Sequence, residues 1–257
     1  QDIEWMQLGP KRKGVTFLDN MWTKAAIHIF KTHKPNLLMY HTLNTDSTHH
    51  TYGPGTSASF TALAYADRLV GDLVQAVEES GLRDKTTFII ATDHGFKKVT
   101  KTILPNVALK KAGLAQGLGS SVSACDAYVM TQGGMAFAYV TNPARKAELL
   151  PKLKEMFTQM EGVERVIDGT EGHTLGMPTP EENAGMGDLI LYPKAGYVFK
   201  NDAGGDAVIT PSLNYGGTHG YLNSDPELDG IFIASGRGIK KGVVLDRMAN
   251  LDVAPTM

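Results

Sequence analysis

Cysteine is nearly absent: the 257 residues contain one, Cys125, so the chain cannot form an internal disulfide, and the redox compartment stays open. Charge of one sign is also missing. Twenty-five Lys and Arg against 27 Asp and Glu leave a net charge of −2, which removes the electrostatic reason to expect a nucleic acid or an anionic membrane as partner. No run comes near the ~18 consecutive apolar residues of a spanning helix. Internal repeats, low-complexity tracts and a signal-peptide pattern are absent as well. What remains is an ordinary globular composition, 42% hydrophobic and 20% charged, in a chain long enough to bury a substantial core.

The apolar spacing predicts a helix over 19–32, stopped by Pro35, followed by a short buried strand, Leu37–Tyr40, and a polar loop, His41–Gly55. Residues 59–80 form the clearest helix, with Leu63, Ala66, Val70, Leu73, Val74 and Val77 on one face and Gly81 as its stop. Thr86–Ala91 reads as a second buried strand running into the loop Thr92–Gly95. A strand–helix–strand unit implies parallel strands with a right-handed crossover, and ligands gather at the carboxyl edge of such sheets. Further strands are expected at Met135–Val140, at Val163–Ile167 (an edge), in a hairpin-like pair Asp188–Tyr192 and Tyr197–Phe199, and in the core at Ile231–Ala234. A helix is expected over Pro143–Met160 and a loop over Gly169–Gly187. No linker splits the chain, so 1–257 reads as one α/β domain. It opens at Gln1 and closes at Met257 one turn into a helical pattern, which suggests a fragment incomplete at both ends.

Three clusters could hold metal: Asp46 with His49 and His50, Asp93 with His94, and His219 within Gly216-Gly-Thr-His-Gly220. Carboxylate and neutral imidazole are donors for Zn²⁺ and similar ions, and neighbouring glycines let backbone approach a tight coordination sphere. Read singly, Asp93-His94 could be an Asx-type turn and Asp46–His50 a solvated pair. Lys97 and Lys98 could attract a phosphate or simply be solvated. His28, His33, His41 and His173 lack partners in the pattern, and Asp126 and Asp188 read as loop or strand-end carboxylates.

The stretch Asn44-Thr-Asp-Ser-Thr-His-His-Thr-Tyr-Gly-Pro54 resembles the Asp-x-x-x-His…Gly-Pro stretch of type I phosphodiesterases/nucleotide pyrophosphatases, in the alkaline phosphatase superfamily. Ala91-Thr-Asp-His-Gly-Phe96 resembles their Asp-His-Gly motif, and Gly217-Thr-His-Gly-Tyr221 their late His-Gly-Tyr motif; Gly187-Asp188-Leu189 with Gly196-Tyr197 is a weaker match. The resemblance implies an alkaline-phosphatase-like three-layer α/β sandwich with a mostly parallel central sheet and helices on both faces. It implies two divalent metal ions, zinc before others. Asp46, His50 and His219 would hold one, and Asp93 and His94 the other, with His49 left outside. It also implies hydrolysis of phosphodiester or pyrophosphate bonds in small molecules through a Thr or Ser phospho-enzyme, and it tilts localisation toward the periplasm or secretion. No residue before Asp46 fits the nucleophile or the remaining ligand: Asp2 and Asp19 are not preceded by a core strand, and Thr16 and Thr23 lack the motif context. The same ligand set would serve a phosphonoacetate-type hydrolase, a phosphomonoesterase or a sulfatase. A non-catalytic metal-binding domain is the alternative of another class.

Overall fold

The computed structural model describes residues 14–257, which fall into two compact units: the residues up to Asp93 together with Gly230–Met257, and His94–Asp229. Asp2 lies outside the described residues.

The first unit is mainly helical: α1 (Val15–His33), α2 (Asn44–Tyr52) and α3 (Ser57–Glu79), with strands β1 (Thr87–Ala91) and β12 (Phe232–Gly236). On α1 the buried residues Asp19, Thr23, Ala26 and Phe30 recur at three- and four-residue spacing. Helix α3 starts in a capping box, Thr56 with Ser59, and ends before Gly81, which takes φ +66°. Its buried line is Ala62, Leu69, Ala76 and Val77, so the stripe expected from sequence is rotated, and Leu63 is 47% exposed.

Three expectations fail in this unit. Leu37–Tyr40 joins no ladder, and Leu37 and Met39 are 61% and 74% exposed rather than buried. The segment is instead a connector fastened to α1: Tyr40 Oη donates to the Asp19 carbonyl at 3.0 Å. The parallel strand–helix–strand unit is therefore not formed, and β1 pairs antiparallel with β12, from Thr87↔Gly236 to Ala91↔Phe232. Both strands are only half-buried, Ile231 and Ile233 being 54% and 53% exposed, so neither is the core strand expected. Finally, the loop expected over His41–Gly55 contains α2.

The second unit holds the large apolar clusters. A four-stranded antiparallel sheet runs in the order β5 (Ala127–Thr131), β6 (Ala136–Val140), β8 (Leu189–Pro193), β7 (Val163–Asp168), with β7 at the edge as expected. Helix α5 (Lys146–Thr158) buries Leu149, Leu153 and Phe157 in the same cluster as Val129, Ala138, Leu189 and Leu191. Asp188 fastens this layer: its Oδ2 accepts from the Val140 N–H at 2.8 Å and its Oδ1 lies 2.6 Å from Lys146 Nζ. Asp126 is similarly spent on Asn142 and Arg145. Both are structural carboxylates here.

A second sheet is built around β2 (Lys97–Ile103), which pairs antiparallel with β10 (Ile209–Pro211) and β11 (Gly217–Thr218) and parallel with β9 (Gly196–Phe199). The β8–β9 hairpin is thus replaced by a crossing between sheets, turned at Gly196 with φ +82°. Among the described residues β2–β9 is the one parallel pairing, so the mostly parallel central sheet is replaced by small, largely antiparallel ones.

Candidate metal centre

In the first unit the ligand candidates stand on α2, whose sequence, Asn-Thr-Asp-Ser-Thr-His-His-Thr-Tyr, has weak intrinsic helix propensity. A distant residue compensates. The buried carboxylate of Asp19, on α1, accepts the N–H of Leu43 at 2.9 Å and of Asn44 at 2.8 Å, so it caps α2 from 25 residues upstream. Thr16 Oγ1 adds a hydrogen bond to Asn44 Oδ1 at 2.9 Å, and Thr23 Oγ1 lies 2.6 Å from Tyr40 Oη. Burial pushes the Tyr40 phenol above its usual pKa, which keeps it a neutral donor. On the helix so anchored, Asp46 and His50 are one turn apart, with Asp46 Oδ1 3.5 Å from His50 Nε2 and side chains 42% and 23% exposed. His49 points elsewhere: its Nδ1 lies 2.6 Å from the Thr45 carbonyl.

Asp93 lies two residues past the end of β1. Its carbonyl accepts from Asn250 Nδ2 at 3.2 Å. The preceding Thr92 is held at both backbone and side chain, its N–H donating to the Ile231 carbonyl and its Oγ1 accepting the Ile231 N–H.

In the second unit His94 and His219 come together from 125 positions apart. Their rings stack with centroids 3.6 Å apart and planes at 13°, and Phe96 packs edge-on to both at 5.4 and 5.3 Å. The ladder explains the meeting: β11, which ends just before His219, pairs Gly217 with Lys98 and Thr218 with Lys97. The Gly134 N–H then donates to the His219 carbonyl at 2.7 Å, and Gly220 continues at φ +87°. Gly95 is required for a different reason. A Cβ there would come 2.3 Å from the Glu227 carbonyl oxygen, because the 227–229 backbone crosses it, and the Gly95 N–H donates to Leu228 O at 2.8 Å.

His94 Nδ1 lies 3.0 Å from the Gly95 carbonyl. A carbonyl only accepts, so Nδ1 carries the proton and the lone pair of the neutral ring sits on Nε2. That is how a metal-ligating histidine is prepared. In the second unit His94 and His219 each offer a ring nitrogen, and in the first unit Asp46 offers a carboxylate oxygen, atoms of the kinds a divalent ion such as zinc takes. Lys97 is engaged with Asp225 and Glu227, and Lys98 is exposed.

The chain resembles known proteins in the same sense. Residues 9–222 match the family model described as type I phosphodiesterase / nucleotide pyrophosphatase. Ectonucleotide pyrophosphatase/phosphodiesterase family member 7 of Mus musculus is 24% identical over 215 residues, covering 82% of this chain and 44% of that protein. Among solved structures, an inactive form of murine ectonucleotide pyrophosphatase/phosphodiesterase 5 in complex with AMP superposes with a TM-score of 0.62 at 18% identity, over 89% of this chain and 54% of that one. Phosphonoacetate hydrolase from Sinorhizobium meliloti 1021 in complex with phosphonoacetate gives 0.61 at 18% identity, over 96% and 55%. At such identity the two structures speak for the α/β fold. The chain spans about half the length of these relatives.

Proposed function

Because the chain belongs to the type I phosphodiesterase/nucleotide pyrophosphatase family, we propose that it carries the metal-holding part of a hydrolase of phosphodiester or pyrophosphate bonds in small molecules. Asp46, His50 and His219 hold one divalent cation, and Asp93 and His94 hold a second, zinc in both places. Bound ions of this kind act as Lewis acids, neutralising charge that grows on the phosphoryl, attacking and leaving oxygens. The chain's own residues prepare the donors. Asp19 fixes the turn that carries Asp46 and His50, the Gly95 carbonyl holds the His94 proton on Nδ1, and β11 sets His219 beside His94.

The observation that carries the reading is the His94–His219 stack at 3.6 Å, with Nδ1 of His94 committed to a carbonyl. Imidazoles assigned to neighbouring ions belong that close together, since paired catalytic metals lie about 3.5–4 Å apart. For the whole protein the proposal includes a covalent intermediate on a Thr or Ser hydroxyl. The relative solved with AMP supports a nucleotide-sized phosphoester as substrate, and the phosphonoacetate hydrolase keeps phosphonate cleavage as the second reading. Among the described residues no helix is long and apolar enough to cross a membrane.

The test compares the whole protein with its His219→Ala variant for zinc content and for turnover of an aryl phosphodiester, a phosphomonoester, a sulfate ester and phosphonoacetate. The proposal expects loss of about one metal equivalent and of diester turnover. Unchanged metal content with unchanged turnover removes His219 from the site, and turnover confined to phosphonoacetate selects the second reading.

A further inference from the structure

Lys97 opens β2, three residues after His94. Its side chain is 12% exposed; its ammonium is hydrogen-bonded to the Asp225 carboxylate and lies 3.0 Å from Glu227 Oε2. Burial alone would lower the pKa of this ammonium, but the hydrogen bonds to the two carboxylates outweigh it and the pKa is raised. The Asp225 pKa is correspondingly lowered, chiefly by the bond from Lys97. The ammonium also lies 5.4 Å from the centre of the Tyr221 ring, and Tyr221 Oη donates to the Tyr197 carbonyl at 2.5 Å.

These contacts close a loop. Its start is held by the β11–β2 pairing just before His219, and its end by the Gly95 N–H on Leu228 O at 2.8 Å. Between them, Asp225 Oδ1 accepts the Glu227 N–H at 3.1 Å and caps the short turn Pro226–Leu228. The side chain that ties this far side to the strand following His94 is Lys97.

We infer that Lys97 is a positioning residue for the metal centre: through Asp225 and Glu227 it locks the loop that follows His219 onto the strand that follows His94, and so fixes the two imidazoles at a ligating separation. This deepens the reading of His94 and His219 as metal ligands and rests on it. Without the ammonium, the Asp225 and Glu227 carboxylates lose the cation that draws them to β2, the loop is released, and His219 loses its fixed place. Groups that orient ligands are worth about 10–100-fold in metal affinity.

The experiment measures Zn²⁺ affinity of the chain by competition with a chromogenic chelator, records the absorption of its Co²⁺ form, and follows melting of the metal-free protein. The variants are Lys97→Met, Lys97→Arg, the double Asp225→Asn/Glu227→Gln, and His219→Ala as reference. Lys97→Met and the double variant are expected to bind Zn²⁺ about 10–100-fold more weakly, with an altered Co²⁺ spectrum. Lys97→Arg, which keeps a cation for both carboxylates, is expected to stay within about threefold of the parent. A purely structural lysine would lower the melting point and leave affinity and Co²⁺ absorption unchanged in both clamp variants; that result overturns the inference. Should the parent chain bind Zn²⁺ no more tightly than His219→Ala, the reading of the ligands fails and the inference falls with it.

Discussion

In the unit His94–Asp229, Leu149, Phe157, Leu189 and Leu191 are fully buried between one helix and a four-stranded sheet. In the other unit Leu37 and Met39 on a connector, Phe60 and Leu63 on α3, and Ile231 and Ile233 at a two-stranded sheet stand exposed. Among the described residues, the exposed large apolar side chains of the second unit are Leu118, Met130 and Leu213 alone; the rest belong to the first. A two-stranded ribbon offers little shelter, because burial of a strand's face needs further strands or a helix laid across it. The first unit therefore relies on polar anchors, above all Asp19, where the second relies on packing. Of the five ligand candidates, Asp46, His50 and Asp93 belong to the first unit and His94 and His219 to the second, so the metal reading draws on both ways of holding a side chain in place.

The contrast breaks most readily in the core. Phe157→Ala, at a fully buried position, is expected to cost about 3–5 kcal/mol, whereas Leu63→Ala is expected to cost less than about 0.5 kcal/mol. Urea unfolding of both variants checks this, and equal losses would show that Leu63 is buried in solution. Asp19→Ala comes next. It removes two hydrogen bonds to a charged acceptor from the start of α2, with an expected cost of about 2–3 kcal/mol and faster amide exchange at Leu43 and Asn44. Unchanged exchange there would mean that α2 does not depend on this cap.

The smallest effect sharpens the comparison on the surface of α5. Arg145 and Lys152 hold the Glu148 carboxyl down to about 2. Its pKa is lowered on folding, so the contribution is complete above the unfolded value of about 4.3 and disappears as pH falls toward 2. Glu148→Gln should flatten that part of the stability profile slightly, and a variant profile parallel to that of the parent over pH 2–4.5 would contradict the assignment.

Local signals were legible where short-range chemistry sufficed. Helix α3, the strands β6 and β7, and helix α5 stand close to where the sequence points. Errors arose where a distant residue decides. Nothing in residues 41–55 announces α2, because its cap is Asp19, 25 residues upstream and with no strand before it. Leu37–Tyr40 has the composition of a strand, yet its Tyr40 hydroxyl is taken by α1 and no ladder forms. Sequence proximity suggests a hairpin of β8 and β9, while β9 finds its partner in β2, about 100 residues earlier. Lys97 reads from sequence as a free cation beside the motif. Only its approach to Asp225 and Glu227, 128 and 130 positions on, shows that it is engaged.

The central claim is that these imidazoles and carboxylates are metal ligands. Crystals of the chain grown with zinc and measured on both sides of the zinc absorption edge test it most directly. The account predicts anomalous peaks within about 2.0–2.2 Å of His94 Nε2 and of a ring nitrogen of His219. Zinc bound only elsewhere on the molecule, with both rings still stacked and without an ion, would contradict it.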